Sequence, residues 1–367
     1  LAQKEVKRMK EYKLLINGKW IESEDSRKVN SPYDQSPVAK VHFAKTALME
    51  EAVTTAHEAF AQTKKLSSHE RSQALEKISG EIERRKEELA KSIALSSGKP
   101  IKSSRIEVER AVNTFQIASE EAKRIGGEII PLDLSAQTKE RWGLVRRFPL
   151  GVIGAITPFN FPLNLVAHKV APALASGNAV VLRPASQVSI TSLLLGEIIN
   201  ETVYPAGGIN VVPSGYEAAE TLLSDERVKM ITFTGSPAIG WELKKKAHKK
   251  KVTLELGGNA AVVIEPDADL DLALPRTVLG AYSYSGQVCI SIQRVFLHEK
   301  IYDRFMAEFV KATQNLKMGD PMDEKTDVGP MITLAAAEQT EEWVTEAVEN
   351  GARLAAGGKR DGVMFEP

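Results

Sequence analysis

In YKLLINGKWIES, residues 12–23, two short apolar runs flank Asn17-Gly18. That pair tolerates the positive φ of a tight turn, so the pattern predicts a β-hairpin. The period then lengthens. Residues 48–65 and 67–98 read as helices, and in the second Ser67 and Glu70 have capping-box spacing while Leu75, Ile78, Ile82, Leu89 and Ile93 form one apolar stripe. A third helix is expected over 105–125, with Val108, Val112 and Phe115 on one face and Gly126-Gly127 as its stop. From 128 to 149, EIIPLDLSAQTKERWGLVRRFP is extended, charged and poor in helix formers, which suits an arm or subunit-pairing ribbon outside the compact core.

Beyond this point short β-branched runs alternate with helical stretches. GVIGAIT (151–157), NAVVLRP (178–184), INVV (209–212) and VKMITFTG (228–235) are the runs. Alternation of this kind predicts an α/β fold, a parallel sheet with helices on both faces, and ligands in such folds sit beyond the carboxyl ends of the strands. The run KKKAHKKK, 244–251, reads as a solvated helix end where cations favour the dipole.

Composition narrows the partners. The chain has 367 residues, enough for about two domains, with 48 basic and 48 acidic residues. No global field recommends nucleic acid or an anionic membrane surface, which leaves a small molecule as the expected partner. One cysteine cannot form an internal disulfide, the opening LAQKEVKRMKEYKLL lacks the apolar core of a secretion signal, and no run of 18 or more apolar residues occurs. These features read as a cytoplasmic protein.

Four stretches can carry chemistry, each with a plainer reading beside it. In FTGSPAIG, a strand runs into Gly235 and a helix starts near Ser236, a geometry that suits an anion, or simply a turn with glycines for close packing. It is neither a Walker loop nor GxGxxG. In PFNFPLN, Asn160 follows a strand, where its amide can donate to an oxyanion or cap a helix. Glu255 lies in the apolar run VTLELGG, and burial there would raise its pKa toward that of a general base, unless it is an ion-pair partner. Cys289, in SYSGQVCISI, is either a small buried hydrophobe or a nucleophile near the first turn of the element begun by CISI.

Taken in order, ITPFNFPLN, FTGSPAIG, LELGG and SGQVC resemble the signature set of the aldehyde dehydrogenase superfamily, and the separation of Glu255 from Cys289 is similar to that family's. The resemblance runs from about Tyr12 to the end of the chain. It implies a Rossmann-type coenzyme-binding domain (1–127 and 150–255), an oligomerisation arm (128–149) and an α/β catalytic domain (256–367) continuing past Pro367, in a homodimer or homotetramer. It further implies Cys289 as nucleophile, Glu255 as general base, and Asn160 with the Cys289 N–H as oxyanion hole, oxidising a small-molecule aldehyde to an acid. A cysteine-dependent esterase or a catalytically silent relative remains the alternative.

The resemblance also implies an NAD or NADP site. Thr157, Pro158, Phe159 and Asn160 would line the nicotinamide side, Gly235 and Ser236 the pyrophosphate and Gly215 the adenine region, with Ile239, Leu256 and Gly257 completing the contacts. Arg183 stands where the family usually has Lys, and Ser186 where NAD-preferring members often have Glu. A guanidinium without a repelling carboxylate suits a 2′-phosphate, so NADP is expected to be accepted. The chain looks closest to the lactaldehyde and non-phosphorylating glyceraldehyde-3-phosphate dehydrogenases. Members of the latter often place a basic residue directly before the nucleophile, whereas here it is Val288, leaving Arg146, Arg147 or Arg294 to supply charge. A small, hydroxylated or anionic aldehyde is the expected substrate.

Overall fold

The structure is a computed structural model that describes residues 9–367. Residues 1–8, which open the stretch read above as lacking a secretion signal and begin the 1–127 segment, lie outside the described residues.

A seven-stranded sheet organises the first two thirds of the chain, in the order Lys251–Glu255, Val228–Thr234, Val152–Ile156, Ala179–Arg183, Ile209–Val211, Leu14–Ile16, Lys19–Ile21. The first five strands are parallel, and the last two join antiparallel as the expected hairpin. Its turn has Asn17 at φ 52° and Gly18 at φ 70°, the left-handed pair that a two-residue loop requires. Successive side chains alternate between two cores. Ile153, Ala155, Val180, Leu182 and Val211 face the helices Ser68–Arg84, Ile101–Ala122, Asn164–Ala175 and Ser189–Asn200. Val152, Ile156, Val181, Ile231 and Phe233 face Thr46–Thr63 and Tyr216–Ser224.

The helices correct two expected boundaries. Residues 67–98 form two helices, Ser68–Arg84 and Lys86–Ser97, because Arg85 leaves helical geometry and its guanidinium pairs with Glu88 and Glu197. The predicted capping box is present: the Glu70 N–H donates to Ser67 Oγ and the Ser67 N–H to Glu70 Oε2. The third helix spans Ile101–Ala122, starting directly after Pro100, which presets a helix entry. Lys244, Lys245 and Lys246 fill the last turn of helix Pro237–Lys246, as the charge run implied.

Residues 128–145 make a separate hairpin, Glu128–Pro131 against Trp142–Val145. Ile129 and Leu144 face one another across it, 70% and 69% exposed. After the main sheet comes a smaller parallel pair, Ala260–Ile264 with Ile292–Leu297. Helix Leu270–Tyr282 connects them, and Glu299–Gln314 closes a core of Ile264, Leu270, Ile301 and Phe305. Beyond this unit the chain returns to the first helices, where a Cβ added to Gly329 would lie 2.2 Å from the Gly98 carbonyl oxygen.

Candidate active site

Strand order reverses between Val152–Ile156 and Val228–Thr234, since the chain builds outward from the first strand in one direction and then returns to its other side. A crevice therefore opens beyond their carboxyl ends, where α/β folds bind ligands. A cavity of about 850 Å³ occupies it, lined by Thr157, Pro158, Phe159, Asn160, Arg183, Ser186, Gly235, Ser236, Ile239, Glu255, Leu256, Gly257 and Cys289 among others. Every predicted site residue except Gly215 borders it. Gly215 precedes helix Tyr216–Ser224 with an extended backbone, and it is Tyr216 that reaches the cavity. The opposite wall comes from helix Leu334–Glu349, through Ala336, Gln339, Thr340 and Trp343, residues that the sequence motifs did not flag.

The floor carries polar atoms without protein partners. Thr157 Oγ1, Thr234 Oγ1 and Arg183 Nε are buried and unpaired, the condition expected where a polar ligand completes the set. Arg183 donates from Nη2 to the Ser214 carbonyl at 2.9 Å and lies over the Tyr216 ring at 5.3 Å, while burial pulls its pKa below the usual guanidinium value. The guanidinium is thus fixed with Nε to spare. At the Gly235 turn both glycines serve packing: a Cβ at Gly235 would lie 2.5 Å from Phe233 Cζ, and one at Gly240 would lie 2.4 Å from Leu256 Cδ2. The Gly235 N–H is committed to the Glu255 carbonyl at 3.1 Å, so the donors left for an anion are those of the first turn of helix Pro237–Lys246.

Asn160, Glu255 and Cys289 share this cavity. Asn160 is no helix cap: Leu163 occupies that position for helix Asn164–Ala175, and the Asn160 Nδ2 donates to the Gln287 carbonyl at 2.9 Å. That bond ties the amide to the cysteine loop two residues before Cys289. Cys289 lies exposed in a turn entering strand Ile292–Leu297, so the expected helical first turn beneath the thiol is absent. The turn is sharp because Tyr284, Ser285 and Gly286 all adopt positive φ, at 49°, 56° and 72°. Tertiary bonds hold it there, from Tyr284 Oη to the Ser97 carbonyl at 2.6 Å and from Ser285 Oγ to the Gly329 carbonyl at 2.7 Å.

Glu255 departs from expectation. It is exposed rather than buried, because Lys251–Glu255 is the edge strand of the sheet and its alternate residues Lys251, Thr253 and Glu255 face outward. The buried titratable group nearby is Lys169, which donates to Thr232 Oγ1 at 3.1 Å. Burial pulls its pKa down to about 8, against the opposing charge of Glu255. A lysine beside His168 in the mostly apolar helix NLVAHKVAPALA was the available sequence signal. The three arginines proposed to supply substrate charge do not line this cavity: Arg146 and Arg147 border a second cleft with Lys64, Lys65 and Arg71, and Arg294 donates to the Asn259 carbonyl.

A doubly wound sheet with a ligand-sized cavity at its reversal point, and a thiol, carboxylate and carboxamide along one side, is the fold of a nicotinamide-dependent oxidoreductase. The chain belongs to the aldehyde dehydrogenase family, whose model matches residues 20–367. It is 44% identical over 360 residues to a 3-sulfolactaldehyde dehydrogenase of Priestia aryabhattai, covering 98% of this chain and 75% of that one. Among solved structures, aldehyde dehydrogenase 21 of Physcomitrella patens in complex with the reaction product succinate superposes with TM-score 0.95 at 43% identity, covering 98% and 75%. The glyceraldehyde-3-phosphate dehydrogenase GapN of Methanocaldococcus jannaschii complexed with NADP superposes with TM-score 0.90 at 40% identity, covering 95% and 76%. No helix among the described residues is long and apolar enough to cross a membrane.

Proposed function

We propose that the chain oxidises a small anionic or hydroxylated aldehyde to its acid through Cys289, with NAD or NADP as coenzyme. The observation carrying this reading is that Cys289, Asn160 and Glu255 border one cavity with the unpaired polar atoms around Arg183 and Thr157. The Cys289 sulfur adds to the aldehyde carbon, and the carbonyl oxygen, now an anion, takes hydrogen bonds from the Asn160 amide and the Cys289 N–H. For this the amide must release or share its present bond to Gln287. When bound, NAD or NADP would accept the hydride that leaves the former aldehyde carbon as the oxyanion collapses to an acyl–sulfur bond; Arg183 and Ser186 would hold its ribose and the first turn of helix Pro237–Lys246 its pyrophosphate. Glu255 then takes a proton from the water that cleaves the acyl–sulfur bond, releasing the acid and the thiol.

The anionic substrate class rests on the named activity of the Priestia relative and the succinate bound by the Physcomitrella enzyme. In this chain Arg110 does not line the cavity either, but it lies over the Phe161 ring at 5.4 Å, next to the Asn160 loop, and is the cation assigned to the substrate's charge. NADP acceptance rests on the fixed Arg183 guanidinium and on Ser186 beside it. The exposed apolar hairpin 128–145 serves as a subunit-pairing arm, with residues up to 255 binding coenzyme and those from 256 onward presenting the cysteine. The decisive experiment is Glu255→Gln: a burst of reduced coenzyme equal to the enzyme concentration, followed by turnover reduced about 100-fold or more. Unchanged steady-state turnover refutes the assignment of Glu255.

A further inference from the structure

We infer that the buried ion pair Lys99–Glu107 is a positioning device that holds the Asn160 loop and the Cys289 loop in one register. The inference rests on the reading of Asn160 and Cys289 as the reacting centre.

Glu107 projects from helix Ile101–Ala122 and is 1% exposed, as is Lys99. Its Oε1 accepts from the N–H groups of Leu163 at 2.9 Å and Asn164 at 3.2 Å, while its Oε2 receives the Lys99 ammonium. Leu163 and Asn164 begin the helix that follows Asn160, and Leu163 has no cap from its own side chain. A carboxylate from a neighbouring helix therefore satisfies the orphan donors and meets the positive end of the dipole. Lys99 completes the link. Its ammonium lies 3.8 Å from the centroid of Phe161, the residue after Asn160, and 5.0 Å from that of Tyr284, five residues before Cys289.

The pair thereby touches both loops that must converge on the aldehyde, Glu107 the turn after Asn160 and Lys99 both that turn and Tyr284. Neither charge borders the coenzyme cavity. Burying such a pair is expensive, and apolar residues of similar volume commonly replace one with no loss of stability. What an apolar replacement cannot reproduce here is the acceptor for Leu163 and Asn164 together with a cation shared by the faces of Phe161 and Tyr284. A carbonyl oxygen developing charge gains from the Asn160 amide only if that amide is placed to within a fraction of an ångström.

The test is a cycle of Glu107→Gln, Asn160→Ala and the double variant in the full chain. Steady-state kinetics are read with coenzyme dissociation constants and a thermal transition. Glu107→Gln should lower kcat about 10- to 100-fold while leaving coenzyme affinity within about twofold. In the Asn160→Ala background it should cost almost nothing more, because the donor it positions is already gone. Equal losses in both backgrounds overturn the inference, since a purely structural defect acts regardless of Asn160. If Glu107→Gln does not fold, the double replacement Lys99→Met with Glu107→Leu stands in. It should fold, bind coenzyme normally and show the same loss of kcat. Wild-type kcat in that variant, or failure of both versions to bind coenzyme, overturns the positioning role. Full turnover by Asn160→Ala alone removes the oxyanion reading beneath it.

Discussion

Lys169 offers a prediction in which the sign and size both follow from burial. The side chain lies within the fold, 6% exposed, with Thr232 Oγ1 as its hydrogen-bond partner, and its pKa falls from the ordinary 10.5 to about 8. A cation with a depressed folded-state pKa destabilises the fold wherever both states are protonated. Between about pH 8 and 10.5 the unfolded chain holds the proton and the folded chain does not, so stability rises with pH across that window. At pH 7 the penalty is about 3 kcal/mol, from roughly 1.4 kcal/mol per pKa unit, and by pH 10 it has fallen below about 1 kcal/mol. Lys169→Met removes the titration and adds a constant offset for the lost hydrogen bond. The stability of the wild type relative to this variant, from denaturant unfolding at pH 7, 8, 9 and 10, should therefore increase by about 2–3 kcal/mol over the series. The buried hydroxyls of Tyr204 and Tyr284, which burial holds above their ordinary pKa, are common to both proteins and cancel in the difference. A flat difference, or one of opposite slope, refutes the reasoning.

Two further outcomes test the remaining proposals. Ser186→Glu places a carboxylate beside Arg183 in the coenzyme cavity and should lower kcat/KM with NADP at least about tenfold while sparing NAD; parallel losses with both coenzymes count against a 2′-phosphate site there. Ile129→Asp combined with Leu144→Asp charges the exposed cross-strand pair of the hairpin. Sedimentation should then show the monomer, with the thermal transition of the subunit retained, and an unchanged assembly mass removes the hairpin from the interface.

The parts of this fold that were legible before the structure are those fixed by near neighbours. Asn17-Gly18 makes its turn because of its own backbone preferences, Ser67 and Glu70 cap each other within four residues, and the parallel strands announce themselves as β-branched runs. Lys251–Glu255 escaped because an edge strand buries only one side, so Val252 and Leu254 give a weak signal between Lys251, Thr253 and Glu255. The same half-burial explains why Glu255, surrounded by apolar letters, is exposed. At Cys289 the motif located the residue but not its setting. The left-handed conformations of Tyr284 and Ser285 accompany bonds to Ser97 and Gly329, far away in sequence. Lys99 and Glu107 were invisible for a related reason: adjacent to a glycine break and within an ordinary amphipathic helix, respectively, they acquire meaning only when the turn before Asn164 and Tyr284 of the cysteine loop pack against them.

The contact of Gly329 with Gly98 has a mechanical corollary. A methyl at Gly329 would strike the Gly98 carbonyl oxygen and one at Gly98 the Pro330 ring, so a side chain at either position forces the two segments apart. The cysteine loop is bonded to the Gly329 carbonyl through Ser285, so such a displacement is passed to the turn that precedes Cys289. Substitution of either glycine should therefore be felt at the cysteine, although neither glycine borders the cavity.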